Sequence, residues 1–224
     1  MNAMWLPLAL SLKVALWSTA INLVLGVAVA KLLTQWKSPA AEFVDSILTL
    51  PLVLPPTVLG YYLLVLIGKR GMVGAWLEGW GVELVFTWQG AVIASTVVAF
   101  PLVLRSARAA LENVNPQLEN AARVLGVSEA GVFFRVSLPL AVNGITAGVL
   151  LAFARALGEF GATLMIAGNL PGRTQTLSVA IFDAVQAGDE QTSIFLVVVT
   201  SLTCIVVLLL ASKLAPGKVR HATR

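Results

Sequence analysis

Five stretches of this chain run without a charged residue for about the length that crosses a lipid bilayer: 14–30, 46–68, 84–104, 136–154 and 191–212. The fourth continues past Arg155 and Glu159 to about residue 166. A hydrocarbon core about 30 Å thick takes roughly 20 helical residues, and backbone amides in lipid must be satisfied within their own segment, so each stretch predicts a helix. The spans are expected near 10–32, 46–68, 86–106, 140–164 and 191–212. Charged residues make up only 12% of the chain against 58% hydrophobic, which excludes an ordinary soluble domain. With no internal repeat and no long linker, residues 1–224 read as one all-α membrane domain.

Orientation follows from where the cations fall. Segments 31–45, 105–135 and the tail from 213 carry Lys31, Lys37, Arg105, Arg108, Arg123, Arg135, Lys213, Lys218, Arg220 and Arg224; segments 69–83 and 167–190 carry only Lys69, Arg70 and Arg173. The positive-inside bias then puts the N-terminus outside and the C-terminus in the cytoplasm. The apolar N-terminus has neither a basic n-region nor a small-residue cleavage site, so it reads as the first span. Lys13 lies near the outer end of that span, within snorkelling reach of headgroups. Trp36 and Trp88 fall near span ends, where indoles sit at the interface. The cations form no block, which argues against nucleic acid. A lone Cys204 in an apolar run reads as a small buried hydrophobe.

Between the third and fourth spans, residues 107–139 break the apolar pattern. Asn115 and Pro116 predict a helix start, as N-cap and first helical residue. Leu118, Ala121, Ala122 and Leu125 follow on one narrow apolar face, and Gly126 predicts a left-handed stop. Ser128 caps a second short helix that includes Glu129, presents Val132, Phe133 and Phe134, and ends before Pro139 opens the next span. Such a pair either joins two spans along the membrane surface or fits a groove in a partner.

Here the residues resemble the EAA loop of ABC importer permeases: Ala121, Ala122, Gly126, Leu138 and Pro139 stand at the motif's spacing, with Val136 in its isoleucine place. Asn120 replaces the motif's glutamate, with Glu119 adjacent. The resemblance implies a type I ABC importer permease fold whose cytoplasmic coupling helix, with Ser128, Glu129, Val132 and Phe133, docks on a separate ATP-binding subunit. The chain lacks a phosphate loop, since neither Gly68 before Lys69 nor Gly217 before Lys218 has the second glycine that motif requires. No cofactor is expected on this chain; ATP and Mg belong to the partner subunit.

Two spans carry unusual residues. The second reads LPLVLPPTVLGYYLL, with Pro51, Pro55 and Pro56 ahead of Gly60; its prolines either kink the helix for packing or free carbonyls beside a water-lined path. The fourth reads ARALGEFGATLMIAGN. Arg155 and Glu159 are spaced to pair, either to orient the helix or to meet the solute, while Gly158 and Gly161 permit close helix approach ahead of Thr163. Both stretches, with NLPGRTQT from Asn169, are similar to the oxyanion branch of these permeases, and closer to molybdate than to sulfate permeases. That resemblance implies a homodimer in a bacterial or archaeal inner membrane. It also implies an external molybdate-binding protein, with tungstate inseparable from molybdate and sulfate or thiosulfate import as the alternative. In the outer loop, Leu177, Ile181 and Val185 predict an amphipathic helix supporting the binding protein, with Arg173, Asp183, Asp189 and Glu190 as docking residues. A secondary transporter, channel or membrane enzyme fits less well: His221 is the single histidine, no span holds paired carboxylates, and Arg155 with Glu159 are the ionisable groups expected at midmembrane.

Overall fold

The structure, a computed structural model, describes residues 5–36 and 38–214. Lys37, Lys218, Arg220 and Arg224, counted above toward the basic side, lie outside the described residues, as do Gly217 and His221. The described residues form helices α1 (Leu6–Gln35), α2 (Pro39–Thr49), α3 (Pro56–Ile67), α4 (Met72–Glu78), α5 (Trp88–Glu112), α6 (Pro116–Val124), α7 (Glu129–Val132), α8 (Leu138–Leu157), α9 (Gly161–Ala167), α10 (Leu177–Gln186) and α11 (Glu190–Leu214). Among them, α1, α5, the run from α7 through α8, and α11 are each long and apolar enough to cross a membrane.

Helix α5 is the central post. Its small and branched residues Ala91, Ala94, Ala99, Val103 and Ala107 are buried, and α1, α8 and α9 pack around it. It runs parallel to α1, with Asn22 Nδ2 donating to the Thr96 carbonyl at 3.2 Å, and antiparallel to α8, where Gly148 faces Ser106. A Cβ at Gly148 would collide with the Ser106 side chain. Overpacking a close-packed interior costs roughly 1–3 kcal/mol. Gly148→Leu is therefore expected to lower the thermal midpoint of the purified protein in detergent, measured by a thermal-shift assay; an unchanged midpoint would contradict this packing.

The second expected span, 46–68, is not one helix. Helix α2 with the single turn Leu50–Leu52 and helix α3 meet at 111° across Val53–Pro55. Pro55 is held extended (ψ 134°) and Pro56 starts a new helix, since neither proline has an N–H and the residue before a proline avoids helical backbone. At about 1.5 Å per residue, the 12 residues of α3 reach only about 18 Å, so α3 alone crosses part of the bilayer. Helix α2 stays at the basic end, where Arg108 pairs with Asp45 at 3.2 Å and with Glu112 at 2.8 Å, and Arg105 Nη2 donates to Thr49 Oγ1.

The fourth expected span, 140–164, is also broken. Helix α8 ends at Leu157, Gly158 leaves helical backbone, and α9 restarts at Gly161. The restart has a chemical cause: Glu159 Oε1 accepts from Ala162 N at 2.9 Å, taking one of the amides that a helix start leaves unbonded.

At the end away from the basic loops, Lys13 sits with Nζ 3.5 Å from the Trp88 ring centroid, so cation–π attraction joins the outer ends of α1 and α5. Helix α10 buries Leu177, Val179, Ala180 and Ala184 with Ile181 half-buried, but Val185 is exposed. The expected stripe is thus corrected: the buried face runs from Leu177 through Ala180 and Ile181 to Ala184.

Candidate functional site: a basic-end loop and two broken helices

The loop between α5 and α8 builds itself from its caps. Asn115 Oδ1 accepts from Gln117 N at 2.9 Å, Pro116 occupies the first helical position, and Ser128 Oγ accepts from Gly131 N at 3.3 Å. Gly126 lies in the left-handed region, φ +81°, which lets Val127 N donate back to the Ala122 carbonyl at 3.1 Å and close the end of α6.

Arg123 is the hub of the loop. Its Nε and Nη2 fork onto the two Glu129 oxygens at 2.7 and 3.1 Å, its Nη1 donates to Asn120 Oδ1 at 2.9 Å, and Glu119 Oε2 lies 3.6 Å away. One guanidinium so ties α6 to α7 across the glycine turn, using the planar donor fork that lysine lacks. Glu119 turns inward: Ser137 Oγ donates to its Oε1, bracing α6 against the start of α8. The departure at Asn120 therefore leaves no gap inside the loop. Its amide feeds the Arg123 hub, while Glu119 serves as an internal brace.

The hydrogen bonds to Glu129 hold the Arg123 guanidinium above its usual range, and Arg123, with a smaller push from Lys31, holds the Glu129 carboxyl below the usual carboxylate range. A depressed carboxyl pKa contributes order fully above the unfolded value and loses it as pH falls through the folded one. Loop amides from Gly126 to Gly131, corrected for intrinsic exchange, should therefore lose hydrogen-exchange protection below the ordinary carboxylate range. Glu129→Gln should remove that pH dependence; a profile identical to the unsubstituted protein would argue against the fork.

Two expectations about the second helix are corrected. Val132 is 1% exposed and belongs to the interior, so it presents nothing to a partner. Phe133 is half-buried in the cluster with Val27, Leu104, Leu111 and Ile145, its ring under Lys31 Nζ at 5.3 Å. The exposed large apolar groups of the loop are Leu118, Val124, Leu125 and Phe134. Nor does the second helix stop before Pro139. It widens through one π-turn, Phe133–Ser137, into α8, because Pro139 has no N–H to give the Arg135 carbonyl. With Leu138 packed on the core and Pro139 exposed, the loop's second helix is the end of a membrane-crossing helix.

The two broken helices meet each other. Gly60 on α3 lies so close to α9 that a Cβ there would be 2.9 Å from Ala162 Cα, and one on Gly161 would touch Pro56 Cβ at 3.0 Å. Both glycines serve packing, whereas Gly158 is exposed and approaches no neighbouring helix. Pro55 and Pro56 are exposed, Pro51 is half-buried, and Thr163 is buried within the packed face of α9. Arg155 Nη1 pairs with Glu159 Oε2 at 2.7 Å; the carboxylate side chain is 1% exposed and the arginine 35%. Among the described residues no cluster of three metal-ligating side chains occurs.

At the opposite end, Asp183 is engaged within the chain, accepting from Asn169 Nδ2 at 2.9 Å and Gln175 Nε2 at 3.2 Å. Asp189 caps α11 by accepting from Thr192 N at 3.0 Å, and the Thr192 side chain, followed by that amide, holds its carboxyl below the usual range. Glu190 and Arg173 are exposed.

Comparison with known proteins adds four findings. The family model described as binding-protein-dependent transport system inner membrane component matches residues 22–220. Over 213 residues the chain is 44% identical to the molybdenum transport system permease protein of Escherichia coli strain K12, spanning 94% of this chain and 93% of that protein. It is 35% identical over 203 residues to a sulfate transport system permease protein of Synechocystis, spanning 91% of this chain and 74% of that one. Among solved structures, the methionine ABC transporter in an inward-facing conformation aligns with a TM-score of 0.73 at 18% identity, over 96% of this chain and 97% of that one. The last likeness concerns the fold alone.

Proposed function

We infer the function from one premise: this chain belongs to the binding-protein-dependent transport system inner membrane component family. It is an all-α, multi-pass membrane protein with the type I ABC importer permease fold. From there the reading is that the chain is the permease subunit of a molybdate importer in a prokaryotic inner membrane, not catalytic by itself. Near-full-length identity to the Escherichia coli molybdenum permease carries the substrate, and the lower identity to the sulfate permease makes sulfate the second reading.

In this proposal two copies enclose the pathway and each basic-end loop docks on an ATP-binding subunit through exposed Val124, Leu125 and Phe134. Because α7 continues into α8, a push on the loop moves a membrane helix as a rigid lever, which is the physical element that coupling between distant sites needs. A solute-binding protein delivers molybdate at the outer face near Arg173 and Glu190. Asp183 and Asp189 already serve internal bonds there, so they contribute by shaping that face.

The test is uptake of labelled molybdate by cells co-expressing the permease with its ATP-binding and solute-binding partners, with tungstate and sulfate as competitors. ATP-dependent uptake blocked by tungstate and little affected by sulfate is expected. Uptake that sulfate blocks as well as tungstate would transfer the reading to sulfate import, and no uptake under either anion would remove it.

A further inference from the structure

Both helix breaks lie at the same depth. Helix α5 runs free of charge from Trp88 to Arg105, and Ala152, Ala156 and Leu157 pack beside its Ala99 and Val103, while Ala162 and Ile166 pack beside Ala94 and Val98. The break at Gly158–Phe160 therefore faces the middle of the apolar stretch. The contact of Gly161 with Pro56 brings the Val53–Pro55 break to that level. Two interrupted helices thus meet near mid-membrane, where backbone groups freed by a break have no partner unless protein or water supplies one.

What surrounds the breaks is open within this chain. Val53 is 83% exposed, and Thr57, Leu151 and Gly158 are exposed as well. The exposed membrane-level face of α11, by contrast, is Ile194, Val198, Leu202 and Ile205, as a lipid-facing helix requires. The ion pair at the break is also asymmetric. Glu159 is sealed in, with one oxygen accepting from Ala162 N and the other ion-paired at 2.7 Å with Arg155 Nη1, whereas Arg155 keeps about a third of its side chain open. An intramembrane charge faces a bundle interior or a cavity, and this one offers a guanidinium with donors to spare.

We propose that the meeting point of the two broken helices lines a water-filled passage near mid-membrane, and that Arg155 is the cation that reads the passing oxyanion there. Glu159 is its positioning residue: buried, hydrogen-bonded to Ala162 N and ion-paired with Arg155, it holds the guanidinium without presenting its own charge to the passage. This rests on the oxyanion-permease reading and deepens it. A tetrahedral dianion suits the planar fork of an arginine, and a cation at a narrow point raises the local concentration of anions over cations.

The experiment is cysteine accessibility in the complete transporter complex in liposomes. Cys204 is first replaced by serine, then single cysteines are placed at Val53, Thr57 and Leu151, with Leu202 and Ile205 as lipid-facing controls. Each is reacted with membrane-impermeant anionic and cationic methanethiosulfonates. The three passage positions are expected to label about tenfold faster than the controls, with the anionic reagent favoured, and Arg155→Gln should reverse that preference while Arg155→Lys keeps it. Labelling no faster than at the controls would overturn the passage, and a charge preference indifferent to Arg155→Gln would overturn the role of Arg155. Water access and charge preference are read without transport, so a complex that labels as expected but takes up no oxyanion counts against the proposed substrate and leaves the passage standing.

Discussion

Replacing Gly126 with valine is expected to abolish solute-stimulated ATP hydrolysis by the reconstituted transporter while leaving membrane insertion intact. The reason is local and severe. Gly126 holds φ +81°, a region costing a residue with a Cβ about 1–2 kcal/mol and a β-branched one more. A Cβ there meets no atom within 4 Å, so the damage comes from the backbone alone. Leaving the left-handed region breaks the Val127 N to Ala122 O bond and swings α6 away from α7, which pulls Arg123 off Glu129. Asparagine tolerates this backbone better than other residues with a side chain, so Gly126→Asn should retain most of the stimulation. Measuring both variants separates cause from coincidence: normal stimulation in Gly126→Val, or equal loss in both, would defeat the role assigned to the turn.

The second large effect is expected at Glu159. Glu159→Ala leaves Arg155 without its counter-ion and the Ala162 amide without an acceptor. Glu159 is buried but Arg155 keeps about a third of its side chain open, so the loss falls below the roughly 3–5 kcal/mol of a fully buried pair, yet exceeds that of an exposed pair such as Lys69 with Glu83. The loss should appear as a fall of many degrees in thermal midpoint and as poor recovery of the folded protein from membranes. Glu159→Gln keeps an acceptor for Ala162 N, and should recover part of that stability. If Glu159→Ala is as stable as the unsubstituted protein, the pair does not hold α9 in place.

Much of this was readable from residue types. Charge-free runs mark where helices must lie because the bilayer offers backbone groups no other partner, and the caps Asn115 and Ser128 and the stop at Gly126 work through their own neighbours within a few residues. What failed concerned continuity and facing. Pro51, Pro55 and Pro56 suggest a disturbed helix, yet whether it kinks or turns by 111° depends on what receives α2, here Arg105 and Arg108 on α5. Gly158 and Glu159 stand out in the sequence as a close-approach glycine and a pairing charge, and as a helix stop and start only once Ala162 N is seen to take the carboxylate. A signal was available in hindsight, since a glycine followed by a side chain able to cap three residues on is a helix stop and start in miniature.

Residue types along the chain settle that it crosses a membrane as helices, which end is basic, and where a loop interrupts the spans. Each follows from local chemistry: transfer of apolar residues into lipid, the positive-inside bias, and caps within a turn of the residues they serve. Only the tertiary structure decided that Val132 and Phe133 root the loop while Val124, Leu125 and Phe134 face outward. It alone decided that the second loop helix is the end of a spanning helix, and that the breaks at Val53–Pro55 and Gly158–Phe160, far apart in the chain, meet where Gly161 faces Pro56. Exposure and meeting are set by which helices pack together. In a chain this apolar nearly every face can be buried, so the choice falls to close contacts such as Gly60 on Ala162 and Gly148 on Ser106.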